Sequence, residues 1–181
     1  MKLFYSICLC LFLFSCGTPN DSIEDVRVNE VEVTLNGGGF DNATYKLGSS
    51  PNTRLNGARY LPSYGTTNCI VTEEVVGYID ENLVSFSFDG NDKGDYSFVE
   101  PTTNSFRLLL SISEDSVLDF SPVRDETGGF LRVTRYPDVG EQIEGSFSLE
   151  GIDVRTYDVN KKIKVNGTFK IMRGSDVDNY N

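Results

Sequence analysis

Ile143-Glu144-Gly145-Ser146-Phe147-Ser148-Leu149 and Val165-Asn166-Gly167-Thr168-Phe169-Lys170-Ile171 repeat one pattern at an offset of 22 residues. In each, apolar residues take alternate places. A glycine precedes a hydroxyl residue and then a phenylalanine. Period-two alternation puts one side of a segment in a core and the other in water, which marks a β-strand. A glycine within a strand permits a bulge or close packing under an aromatic ring. The pair therefore predicts two antiparallel neighbours with matched core faces, Phe147 and Phe169 among the core residues. Two copies do not make a solenoid.

The same period extends upstream. Val31, Val33 and Leu35 alternate with Glu32 and Thr34, and Asn36-Gly37 supplies turn chemistry. Ala43, Tyr45 and Leu47 repeat it, as do Val84, Phe86 and Phe88, and then Phe106, Leu108, Leu110 and Ile112. Phe130 to Tyr136 is a β-rich run bounded by Gly128-Gly129 and Pro137. No segment of twelve residues carries a helical period. Ser113 to Phe120 reads equally as a short strand or one helical turn. Strands broken by Gly, Asn, Asp and Pro at intervals of about ten residues predict an all-β domain. An antiparallel β-sandwich is expected, with a lipocalin-like barrel as the alternative. Gly48 to Asn68 is the longest stretch without a strand pattern and reads as a loop.

The N-terminus carries a different signal. Lys2 precedes an apolar run from Leu3 to Phe14, which ends at Ser15-Cys16. A positive start, a short apolar segment and a small residue before the cut describe a secretory signal peptide. The run is too short to span a bilayer, which takes about 20 residues. The cysteine after the small residue resembles a bacterial lipoprotein signal, although Phe14 is bulkier than usual at its position. The expected organisation is a signal peptide at 1–15, a lipidated tether at 16–27, a single domain at 28–173 and a polar tail at 174–181. Gly17 follows the cysteine in place of the aspartate that retains lipoproteins at the inner membrane of enteric bacteria. Outer-membrane anchoring through lipid on Cys16 is the expectation.

Loss of residues 1–15 from the 181 leaves 166, enough for one domain with a real core. Loss of Lys2 moves the net charge from −11 to −12. An acidic surface repels phosphate backbones, which argues against nucleic acid as a partner. It also argues against an electrostatic grip on anionic lipid, so the membrane contact falls to the lipid chains. After cleavage only Cys16 and Cys69 remain. With Cys16 lipidated, no internal disulfide can form. Cys69 starts an apolar strand and reads as a buried small hydrophobe. There is no histidine, which removes Ser-His-Asp and Cys-His catalysis and every histidine-bound metal site. There is no tryptophan, so any sugar-binding aromatic face falls to Tyr or Phe.

Val33-Thr34-Leu35-Asn36-Gly37 is followed by Phe40, and Gly94-Asp95-Tyr96 reads as the close of a middle hairpin. With these, the Gly-rich strand Gly129 to Thr134 and the closing pair Gly145-Ser146-Phe147 and Gly167-Thr168-Phe169, the chain resembles a family of small lipoproteins of Bacteroidota-type bacteria that share a domain of unknown function. The span is Val31 to Met172. The resemblance implies an all-β domain and a cell-envelope address, and it lends no catalytic residues.

Several clusters stand out chemically. Asp89-Gly90-Asn91-Asp92-Lys93-Gly94-Asp95 has the alternating oxygens of a calcium loop. Lys93 interrupts the pattern and no later bidentate Glu fits, so a solvated hairpin turn is the better reading and no metal or cofactor is expected. The Gly48–Asn68 stretch gathers Arg54, Arg59, Tyr60 and Tyr64 on an otherwise acidic chain. Cations beside aromatics suit an anionic or sugar ligand, and these four are the candidate binding residues. Lys162, Lys164 and Lys170 share one face of the final strand, which serves either as a basic stripe or as protection of an exposed or edge strand. Asp21-Ser22-Ile23 and Asp115-Ser116-Val117 resemble bacterial O-glycosylation sites, at Ser22 and Ser116. The sequons at Asn42 and Asn166 carry little meaning in a bacterium. A lipid-anchored, non-enzymatic module for a glycan or an envelope protein is the expected function. The alternatives are a two-carboxylate glycoside hydrolase or a lipocalin-like carrier of an apolar ligand.

Overall fold

The computed structural model describes residues 29–49, 56–73, 82–113, 115–125 and 128–177. They form eleven strands: β1 (Asn29–Gly37), β2 (Phe40–Ser49), β3 (Gly57–Leu61), β4 (Thr66–Glu73), β5 (Asn82–Asp89), β6 (Gly94–Ser97), β7 (Ser105–Ser113), β8 (Ser116–Pro122), β9 (Gly129–Arg135), β10 (Gln142–Asp153) and β11 (Ile163–Met172). The fold is all-β, and every strand-to-strand ladder is antiparallel.

The repeated phrase lies at the centre. β10 and β11 pair so that Gly145 faces Phe169 and Phe147 faces Gly167. Each ring lies over the other strand's bare glycine, and both rings are 2% exposed. On its other side β11 pairs with β1, placing Val31 opposite Phe169. The opposite edge of β10 is shared. Its first half pairs with β9 and its last residues, Gly151 to Asp153, pair with β8. The sheet forks there. One branch runs β9–β6, the other β8–β7–β5–β4–β3.

This single sheet curls into a half-barrel. Arg173 to Val177, read from sequence as the domain's last residue and the start of a tail, run beside β3. Gly174 N–H donates to Ala58 O at 2.8 Å and Val177 N–H to Tyr60 O at 3.1 Å. The Ala58–Arg173 bridge is parallel. Phenylalanine fills the interior. Phe86, Phe98, Phe106, Phe120, Phe147 and Phe169 form a connected set of ring contacts with centroids 4.9–6.3 Å apart. Such tilted and edge-on arrangements add to what area burial alone contributes.

Three expectations are corrected. The described residues of the Gly48–Asn68 stretch do not form a loop: the structure places there the end of β2, all of β3, a tight turn and the start of β4. β3 escaped notice because its inward residues include the small Ala58 while Arg59 points outward. Second, Gly94-Asp95-Tyr96 does not close a hairpin with β5. It forms β6, which pairs with β9. The turn before it is held elsewhere, by Gly90 N–H on Gly65 O at 2.6 Å. Tyr96 packs on Phe88 with centroids 4.5 Å apart. Third, the final strand is no edge, since β11 lies between β1 and β10.

Candidate functional site

The β3–β4 connection is a turn of four residues, Pro62 to Gly65. Tyr64 N–H donates to Leu61 O at 3.0 Å and Gly65 N–H to Pro62 O at 3.2 Å. Gly65 takes φ +65°, a conformation a side chain disfavours, and this reverses the chain. The turn leaves no core-facing position for Tyr64, whose ring is 76% exposed.

Parity sets the ground beneath it. Thr67, Cys69, Phe86 and Phe88 are buried, so Thr66, Asn68, Ser87 and Asp89 face outward from β4 and β5. Together with Leu61, Tyr64 and Thr103 they line a surface groove of about 490 Å³. Its polar groups are held in place. Thr103 Oγ1 donates toward both carboxylate oxygens of Asp89, at 2.6 and 2.7 Å. Asp89 N–H donates to Asn104 Oδ1 at 2.9 Å. Ser87 and Ser105 hydroxyls are 2.7 Å apart. An exposed aromatic face beside an amide, hydroxyls and one carboxylate suits a polyhydroxylated ligand with an apolar side, such as a pyranose ring.

Of the sequence candidates among the described residues, Tyr64 alone lines this groove. Arg54, Cys16 and Ser22 lie outside the described residues. Arg59 and Tyr60 are neighbours on β3 and so turn to opposite sides, opposite Asn68 and Thr67 respectively. Arg59 lies against the closing segment, its Cγ and Nε both 3.7 Å from where a Cβ on Gly174 would stand. Ser116 is exposed at the start of β8.

The acidic turn after β5 scatters its carboxylates. Asp89 bonds Thr103, and Asp92 accepts from the Tyr96 hydroxyl at 2.9 Å. Asp95 takes Arg132 in a two-pronged pair at 2.7 and 2.9 Å. Hydrogen bonding to Arg132 holds the Asp95 carboxyl below its ordinary value. Partial burial, then the bond to Asp92, pushes the Tyr96 hydroxyl up. Among the described residues no group of three His, Cys, Asp or Glu converges as a metal would need. Cys69 is fully buried, and burial pushes its thiol up, which leaves little reactive thiolate. Lys164 and Lys170 stand on the solvated outer face of β11, and Lys162 pairs with Glu150 at 2.8 Å.

Sequence reasoning missed Asn68, Ser87 and Thr103, and it read Asp89 only as part of the acidic turn. The pairing of β4 with β5 brings Asn68, Ser87 and Asp89 together, and the hydrogen bonds to Asp89 bring in Thr103, which lies in no strand. No family model, curated protein or solved structure matches the chain.

Proposed function

We propose that this chain is a lipid-anchored cell-envelope protein, tethered through Cys16 in the outer membrane, that holds a glycan in the Tyr64 groove without acting on it. The observation that carries the reading is an exposed tyrosine fixed by a hydrogen-bonded turn above outward amide, hydroxyl and carboxylate groups. The hydrolase alternative fares less well. Among the described residues Asp89 is the one carboxylate in the groove, whereas glycoside cleavage takes two. Elsewhere, hydrogen bonds to Arg132 and Arg124 hold the carboxyls of Asp95 and Glu100 below their ordinary values, opposite to what a general acid requires. A carrier of apolar ligands needs a hollow interior, and here phenylalanine rings occupy it.

Two measurements test the proposal. The Tyr64→Ala variant should keep the wild-type melting temperature and lose affinity on an array of neutral glucan, xylan and mannan oligosaccharides. Wild-type binding by that variant places any glycan site elsewhere. Cys16→Ala, expressed with its leader, should leave the membrane fraction or stay unprocessed. Normal processing and fractionation of that variant sinks the anchor.

A further inference from the structure

A second concavity, of about 350 Å³, opens on the same outer face and includes Ser105, Arg107, Asp119, Arg124 and Tyr157 in its lining. It adjoins the Tyr64 groove. Ser105 belongs to the second and Ser87 to the first, and their hydroxyls are 2.7 Å apart. The segment Thr103-Asn104-Ser105 walls both.

Tyr157 matches Tyr64 in kind. It is 74% exposed. Its φ is +50°, a conformation that is uphill for a residue with a side chain. Hydrogen bonds hold it there. Tyr157 N–H donates to Asp153 O at 3.1 Å, and Val154 N–H fixes the segment to Asp119 O at 2.8 Å. Arg155 N–H donates to Asp153 Oδ1 at 3.0 Å. The strain supports a ring that packs into no core, so packing does not explain it.

The polar groups below the ring are paired yet not exhausted. Arg107 uses Nε and Nη2 on the two oxygens of Asp119, at 3.0 and 2.8 Å. Arg124 uses Nη1 on Glu100 and on the Thr102 carbonyl, at 2.9 and 3.2 Å. Arg107 Nη1 and Arg124 Nη2 keep donors to spare, and each Asp119 oxygen keeps a lone pair. Because each cation is already balanced by a carboxylate, the concavity is not an anion trap. Donors set beside acceptors match the adjacent hydroxyls of a neutral sugar.

We propose that Tyr157 with the Arg107–Asp119 pair forms a second sugar subsite, so that the face from Tyr64 to Tyr157 takes one neutral oligosaccharide laid across the strands. β4, β5, β7, β8 and the segment after β10 lie side by side along this path. At about 4.8 Å per strand the track is about 19 Å long, room for several rings. The inference rests on the Tyr64 groove being a glycan site.

The test is calorimetric titration with neutral glucan, xylan and mannan disaccharides and hexasaccharides. Wild type should bind one hexasaccharide more tightly than its disaccharide. Tyr64→Ala should weaken both lengths. Tyr157→Gly should weaken the hexasaccharide by about tenfold and leave the disaccharide unchanged. Glycine also suits φ +50°, so this variant should melt no lower than wild type. A lower melting temperature shows a packing role for Tyr157 and overturns the subsite. Full hexasaccharide affinity in Tyr157→Gly, with loss in Tyr64→Ala, overturns the second subsite and leaves the groove standing. If none of the three hexasaccharides binds, or if Tyr64→Ala binds as wild type, both readings fall.

Discussion

A Cβ added at Gly167 would stand 2.3 Å from Phe147 Cζ and 2.3 Å from the Glu32 carbonyl oxygen. At Gly145 the corresponding distances are 2.4 Å to Phe169 Cζ and 2.2 Å to the Arg132 oxygen. These are contacts no carbon tolerates, and one partner in each case is backbone. Both positions therefore require glycine for space, and neither for a left-handed φ. Gly94 is the contrast, since an added carbon there meets only Tyr96, at 3.6 Å. We expect Gly145→Ala and Gly167→Ala each to cost about 1–3 kcal/mol in denaturant unfolding, while Gly94→Ala costs less than either. Equal costs at all three positions would show that the rings move aside freely. The sequence exposed this device because the two glycines and two phenylalanines keep one spacing in both strands. Tyr157 had no such signal: a single tyrosine in Arg155-Thr156-Tyr157-Asp158 gives no hint of its φ or of the concavity below it.

At the scale of elements, the seam between β3 and the segment after β11 governs whether the half-barrel keeps an open edge. β3 offers Ala58 O and Tyr60 O, which Gly174 N–H and Val177 N–H take up. Arg173 reinforces the seam. Its guanidinium lies 4.8 Å from the Tyr136 ring centroid, donates to Pro137 O at 2.6 Å and pairs with Asp176. The Tyr136 hydroxyl in turn lies 2.8 Å from Thr67 Oγ1. Val177→Pro removes one donor from the seam and nothing from the core. Its expected cost is about 1 kcal/mol, with greater concentration-dependent association as the β3 edge opens. Unchanged stability and an unchanged sedimentation profile would make the seam dispensable. Long strands with clean alternation, such as β1, β5 and β7, were legible because each presents one apolar face. β3 and β6 were not: both are short, and β6 is anchored by a distant partner, β9. The pairing of β6 with β9 depends on Tyr96 reaching Phe88 and on the Gly90–Gly65 bond, neither of which has a local signature.

For the whole molecule, the net charge of −11 sets the long-range field, and ion pairs set the short-range one. Arg107, Arg124, Arg132, Arg135 and Arg173 each face a carboxylate. On these five arginines the positive charge that an anionic polymer would seek is already matched, and the net charge repels such a polymer at a distance. A neutral glycan meets neither obstacle, because stacking on tyrosine and hydrogen bonds to hydroxyls depend little on salt. The Debye length falls from about 10 Å at 0.1 M to about 3 Å at 1 M, so ionic binding should weaken steeply over that range. The oligosaccharide affinity of the Tyr64–Tyr157 face should instead stay within about twofold from 0.1 to 1 M sodium chloride. Anionic polygalacturonate should show no binding at either concentration. A tenfold salt dependence, or polygalacturonate capture at low salt, would mean that Arg107 and Arg124 give up their carboxylates to the ligand. The concavity would then be selecting charge, and the neutral-sugar assignment would fail even if both tyrosines proved essential.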